Sequence, residues 1–241
     1  MRKVNVGKRA LVRVMGAGLL MVAAPAVVCP ALGKERRGKK AGPQDAEKKE
    51  EVTPPEDLMR EHGVLDRVLL LYEAAIQKFS SKEDFNPDLV KQSAEIIRDF
   101  INNYHEKSEE TQVFPRFKRA GKMVDLVDTL LQQHNAGRGL TQTILTLVPG
   151  SRNDADDRKR LIAAMQSFIR MYRPHAARED TELFPMLHGL VSSNEYDAMA
   201  EEFEKKEHEL FGEDGFEKMT AKVADLERQM GINDLNQFTP H

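Results

Sequence analysis

The chain has 241 residues, with 36 Lys and Arg against 39 Asp and Glu, one Cys, no Trp and a hydrophobic fraction of 40%, the profile of one soluble domain with some extra sequence. A single Cys excludes a disulfide framework and a thiolate-built zinc or iron–sulfur site, so any metal must be held by His and carboxylates. The net charge of -3 offers no broad basic surface for nucleic acid, and the polar average composition argues against a multi-span membrane protein.

Arg2, Lys3, Lys8, Arg9 and Arg13 precede a weakly apolar run of 15 residues, Val14 to Val28, and no acid occurs before Glu35. This is the layout of an export signal, and the run is too short for a membrane span of about 20 residues. Residues 1–33 are expected to be removed, giving an exported protein, periplasmic or secreted, that leaves no membrane anchor behind. Losing five basic and no acidic residues takes the net charge from -3 to -8. From Lys34 to Glu51, twelve of eighteen positions are charged and none is a large hydrophobe, so 34–52 reads as a solvated linker.

Thr53-Pro54-Pro55-Glu56 predicts the start of the folded domain, with Thr53 and Glu56 as a capping box and Pro54 in the first helical turn. Asn86-Pro87-Asp88 and Ser192 to Glu195 predict two further helix starts. Helical spacing recurs throughout and alternating strand patterns are nearly absent, so the domain is all-α. The first stripe runs Leu58, His62, Leu65, Leu69, Tyr72, Ile76, Phe79; the second Val90, Ala94, Ile97, Ile101, His105, Glu109. The third runs Met123, Val127, Leu130, His134, Gly137, Thr141, Ile144, Val148; the fourth Leu161, Met165, Phe168, Tyr172, His175, Glu179, with Pro174 expected to kink or interrupt its helix. Each of four successive helices thus turns one His inward. A buried imidazole is more often a hydrogen-bonded core residue than a ligand. Four of them with two glutamates would carry a heavy desolvation cost without a cation, and the pattern therefore predicts a metal site.

The chain also repeats itself. His105 to Pro115 aligns without a gap to His175 to Pro185, with identity at His, Glu, Thr, Phe and Pro. A single His precedes each string by 43 residues (His62 to His105) or 41 residues (His134 to His175). Two helix pairs, each giving His and then His-x-x-x-Glu, are what a pseudo-symmetric two-metal site in a four-helix bundle requires.

The ordered set His62, His105 with Glu109, His134, and His175 with Glu179, each second string followed by Phe-Pro, resembles the hemerythrin-like proteins with the HHE cation-binding domain, over 53–190. The ferritin-like pattern Glu-x-x-His occurs at no His of the chain. The resemblance implies an antiparallel up-down four-helix bundle, here with additional C-terminal helices in 191–241. It also implies a non-haem di-iron centre binding dioxygen or a related small molecule such as nitric oxide or peroxide. Iron rests on the resemblance, since mixed His and carboxylate sites also accept manganese or zinc. Oxygen-carrying members supply five histidines, whereas this chain has four with two Glu, and Arg138 stands four residues after His134. That departure moves the expectation from reversible oxygen carriage toward sensing, iron handling or reactive-species chemistry, with small-ligand storage also open. With both glutamates bridging, four His give two nitrogens per metal, His62 and His105 in one half and His134 and His175 in the other. No nucleophile or substrate pocket is identifiable, so the working expectation is a binding protein rather than an enzyme. The alternatives are a peroxide- or nitric-oxide-processing enzyme with the same centre, and a metal-free helical interaction module. No protein partner is legible.

Asp66, four residues after His62, is a further ligand candidate, weighed against pairing with Arg67 or a bond to a ligating His. His208 is expected on the solvated face of its helix, His188 at a helix end, and Tyr104 and Tyr172 beside ligand positions. Phe216, Met219, Val223, Leu226 and Met230 predict a helix covering the bundle.

Overall fold

The computed structural model describes residues 52–240; the segments expected to be an export signal and, apart from Val52, a charged linker lie outside them. Helix α1 is Pro54–Ser81. A continuous helix over 88–120, α2, contains wide π-helical turns at Ile97–His105 and Glu109–Val113. Helix α3 is Val124–Leu147, and α4 covers 155–187 with a π turn at Glu179–Leu183. Helices α5, Ser193–Phe211, and α6, Gly215–Met230, follow, and a short 3-10 turn spans Leu235–Phe238. No strand occurs among the described residues.

The starts follow the sequence chemistry. Both capping boxes form: Thr53 with Glu56 and Ser192 with Glu195 each satisfy orphan N–H groups of the first turn. At the second start Asn86 Oδ1 accepts the Asp88 N–H at 3.1 Å. Met123 differs slightly from expectation, standing just ahead of α3 with φ 50° rather than within it.

The connections 82–87, 121–123 and 148–154 are short, which places α1 to α4 antiparallel to their neighbours. Cross-links show the same direction: Glu73 pairs with Arg173 while His62 reaches Asp180, and Gln133 reaches His175 while Gly137 lies against Tyr172. The molecule is the expected all-α bundle, with α5 and α6 packed onto it. The stripe of α6 is buried at Met219, Val223, Leu226 and Met230 and joins the core of the bundle.

The π turns answer a feature of the sequence. From Ile97 the buried residues of α2 recur every four positions, through Ile101, His105, Glu109, Val113 and Phe117. In an ideal helix of 3.6 residues per turn each such step overshoots by about 40°. The wider turns absorb the excess and keep the stripe on one face. Pro115 and Pro185 each follow such a turn by two residues, and each lacks the N–H that a regular helical ladder would use there. Pro174 does not interrupt its helix: α4 runs through it, and Arg170, whose carbonyl lost its donor, is exposed, so water can serve that carbonyl.

The apolar core falls into two clusters. One contains Leu69, Tyr72, Phe100, Ile144 and Phe168; the other contains Leu58, Phe114, Phe117, Leu130, Phe184 and Leu187. Between them lies a layer of buried polar residues.

Candidate metal centre

The six residues singled out by spacing all lie in that layer. His62, His105, His134 and His175 are at most 3% exposed, and Glu109 and Glu179 are fully buried. Two groups have ligand atoms close enough for one cation each: His62, His105 and Glu109, and His134, His175 and Glu179. These are the two halves expected from the helix pairs.

Each imidazole is aimed by its outer nitrogen. His62 Nδ1 lies 2.7 Å from Asp180 Oδ1, His105 Nδ1 2.6 Å from Glu61 Oε2, His134 Nδ1 3.1 Å from Glu110 Oε1, and His175 Nδ1 2.8 Å from Gln133 Oε1. Three partners are carboxylates and the fourth an amide oxygen, so every Nδ1–H donates outward and every Nε2 is turned to the interior, free to bind a cation or a proton. His62 Nε2 and His105 Nε2 then face each other at 3.0 Å. Two lone pairs at that distance repel unless a proton or a cation lies between them. A divalent cation shared by the two nitrogens would remove that repulsion.

The carboxylates tie the halves together. Glu109 Oε2 is 3.6 Å from His105 Nε2 and 3.4 Å from His134 Nε2, while Glu179 Oε2 is 3.4 Å from His62 Nε2 and 3.1 Å from His175 Nε2. Each glutamate therefore touches one histidine of each half. All four oxygens of Glu109 and Glu179, and Nε2 of His134, are buried without a hydrogen-bond partner. Orphans of this kind are rare in a folded core and cost free energy unless something of opposite charge satisfies them. Convergent imidazole nitrogens and carboxylate oxygens are the donor set that a divalent transition metal takes, so the residues fit such an ion.

Without a cation, protons must balance the layer. Burial opposes charge on His62, yet Asp180 and Glu179 push it up to about 10; burial likewise opposes His134, which Glu109 and Glu110 push up to about 10. Burial and the neighbouring His62 hold His105 well below the usual imidazole range. Burial and Glu179 push Glu109 up to about 8, whereas His175 and His62 overcome burial to hold Glu179 well below the ordinary carboxylate range. Groups of one type are thus driven in opposite directions, as happens when acids and imidazoles are crowded together away from water.

The repeat extends further than the ligand positions. Phe114 stacks on His134 with ring centroids 5.5 Å apart, and Phe184 stacks on His62 at 5.7 Å. Glu110 and Asp180, which directly follow Glu109 and Glu179, bond a histidine of the opposite helix pair. Glu61 and Gln133, each preceding the first His of a pair, bond the second His of the same pair. Sequence reasoning missed these four orienting residues; their matched positions in the two halves were the available signal.

Asp66 is exposed and belongs to neither group, and Arg67 pairs with Glu227 instead of Asp66. Tyr172 donates to buried Glu106 at 2.5 Å, and its ring lies 5.3 Å from that of His175. Gly137 makes this approach possible, since a Cβ there would lie 1.9 Å from the Tyr172 hydroxyl. Arg138 pairs with both Glu106 and Glu110, so the side chain four residues after His134 turns to the surrounding acids rather than to the centre. The Tyr104 hydroxyl lies 3.5 Å from the Phe203 carbonyl. His208 is exposed as expected, and His188 follows the end of α4 with its ring edge-on to Tyr196 at 5.1 Å.

Residues 53–187 match the hemerythrin HHE cation binding domain family. The chain is 42% identical over 238 residues, 98% of its own length and 91% of theirs, to an uncharacterized protein of Mycobacterium bovis and to uncharacterized proteins of two strains of Mycobacterium tuberculosis. No solved structure matches it. With a match that covers more than half of the chain and the His and Glu residues in one buried layer, this protein belongs to the hemerythrin HHE cation-binding family.

Proposed function

We propose that the chain holds two iron ions between its helix pairs and binds dioxygen, nitric oxide or peroxide there, for sensing, storage or iron handling. One observation carries this reading: Glu109 and Glu179 each touch a histidine of both halves, and their four buried oxygens have no hydrogen-bond partner. His62 and His105 would hold one ion, His134 and His175 the other, and the two glutamates both. Bound iron would supply the redox chemistry with the small ligand. The protein's own part is to fix four imidazoles through their Nδ1–H bonds and to exclude bulk water with Phe114, Phe184 and the two apolar clusters. The basic and apolar N-terminus supports export to the periplasm or the medium. Intact-mass analysis of protein from the native cell would decide that point.

The test is metal analysis and Mössbauer spectroscopy of purified, iron-loaded protein. Two magnetically coupled irons per chain and a spectral change on adding dioxygen or nitric oxide are expected; a single or uncoupled iron would overturn the reading.

A second reading, turnover of peroxide or nitric oxide at the same centre, is favoured by Glu106, a buried acid joined to Tyr172 and Arg138 beside His175 and His134. Burial raises the carboxyl of Glu106 above the ordinary range, so Glu106 can hold a proton beside the layer while Arg138 supplies fixed positive charge next to it. Steady-state consumption of peroxide or nitric oxide separates the two readings.

A further inference from the structure

The C-terminal helices lie beyond the part of the chain that matches the family, which ends at residue 187. One of them completes a second acidic constellation. Asp57 and Glu61 stand one turn apart on α1, Glu207 comes from α5, and one oxygen from each lies within 4.8 Å of the others. Acidic clusters alone are common on protein surfaces, but Glu61 is not a surface residue. It is 1% exposed, its Oε2 receives the His105 Nδ1–H, and its Oε1 is buried with no hydrogen-bond partner.

The local basic residue offsets only part of the charge of the group. Arg60 Nη1 stays 3.6 Å from Asp57 Oδ1, its Nη2 lies 3.7 Å from Glu217 Oε1, and its guanidinium sits over the Phe216 ring at 4.2 Å. Glu207 uses Oε1 to accept the Phe216 N–H at 2.9 Å, which anchors it at the start of α6. Burial, then Glu207, Glu204 and Glu217, push Asp57 up to about 6 against the pull of Arg60. The third acid-rich group, Glu106, Glu110 and His134, differs in having Arg138 paired directly with both glutamates.

We propose that Asp57, Glu61 and Glu207 form a site for a hard divalent cation, held between α1 and α5 and joined to the central histidines through Glu61. Three carboxylates at this separation suit an ion that takes oxygen ligands at about 2.0–2.6 Å and fills its remaining positions with water. Asp57 and Glu207 are half-buried, so one side of the site faces solvent. The ion would hold Glu61 by Oε1 while Oε2 keeps His105 oriented, which gives the C-terminal helices a direct hold on the centre. The proposal is independent of what the six central residues bind.

The experiment is a Mn²⁺ titration of the full chain, following the free-ion electron paramagnetic resonance signal, for wild type, for Glu207→Gln, and for a double variant that combines Glu207→Gln with Asp57→Asn. After Glu207→Gln the new side-chain amide oxygen can still accept the Phe216 N–H, so circular dichroism should report an unchanged fold. The double variant should bind one ion fewer per chain, and the single variant should bind that ion at least tenfold more weakly. Wild type binding one ion and the double variant none would sustain this site and sink the two-metal reading. Equal stoichiometry and affinity in wild type and both variants would overturn the acidic site, since three acids that only share protons give that result.

Discussion

Glu61 and Gln133 hold equivalent places in the two halves, each accepting the Nδ1–H of the histidine on the following helix, yet only Glu61 can carry a charge. The half with His62 and His105 is therefore backed by two carboxylates, and the half with His134 and His175 by one carboxylate and one amide. A carboxylate partner makes an imidazole a stronger donor.

The first prediction follows from that difference. Gln133→Glu should tighten the weaker half and Glu61→Gln should loosen the stronger one, each by about 10- to 100-fold in metal affinity. A stepwise metal titration reads this as two binding events moving together or apart. Unchanged steps in both variants would show that the amide is electronically equivalent to the acid here.

Bridging and non-bridging residues should fail differently. Glu109→Ala or Glu179→Ala is expected to take metal content from two per chain toward zero and to abolish magnetic coupling between any ions left, because each glutamate touches both halves. His134→Ala should deplete mainly one half. Two coupled irons in both Glu variants would refute the bridging assignment, and retention in all six single variants would remove the site.

Metal removal should destabilise the fold. Four imidazoles and two carboxylates buried without a cation leave five atoms unpartnered among Glu109, Glu179 and His134. A cation at a thousand times its dissociation constant contributes about 4 kcal/mol, which for a chain of this size is about 10 °C in Tm. Calorimetry of chelated and reloaded protein checks this; coincident melting curves would exclude a buried site.

Gly137→Ala should cost about 1–3 kcal/mol, because the new Cβ would lie 1.9 Å from the Tyr172 hydroxyl and 2.7 Å from its Cζ. Displacing Tyr172 also strips buried Glu106 of a donor. In a double-mutant cycle with Tyr172→Phe, the two changes together should cost less than their sum. Strict additivity would mean that the ring moves aside freely.

The six central residues are legible in the sequence because helical spacing, an even count of inward histidines and an ungapped repeat all point to one buried face. Capping boxes at Thr53 and Ser192 are legible for a similarly local reason, since a side chain three residues away completes them. The orienting residues are not, because Glu61, Glu110, Gln133 and Asp180 fall beside the stripes and reach a histidine on another helix. Taken one helix at a time they look like solvated polar residues, and only their matched places in the two halves set them apart. The π turns are hidden as well, although the run of fours from Ile97 to Phe117 in α2 contains their trace. That Pro174 would not end its helix is not legible either, since the outcome depends on the freed carbonyl meeting water.

Phe114 and Glu110 serve His134 across the bundle, and Phe184 and Asp180 serve His62 in return. Neither helix pair therefore contains a finished half of the centre. The chain is organised like a homodimer whose two subunits have been fused end to end, with each swapping an arm onto the other. A fragment ending near residue 120 would have to recruit a second copy of itself to shield and orient its own histidine. In the intact chain that second copy is tethered, so assembly of the centre is first order in protein and independent of its concentration.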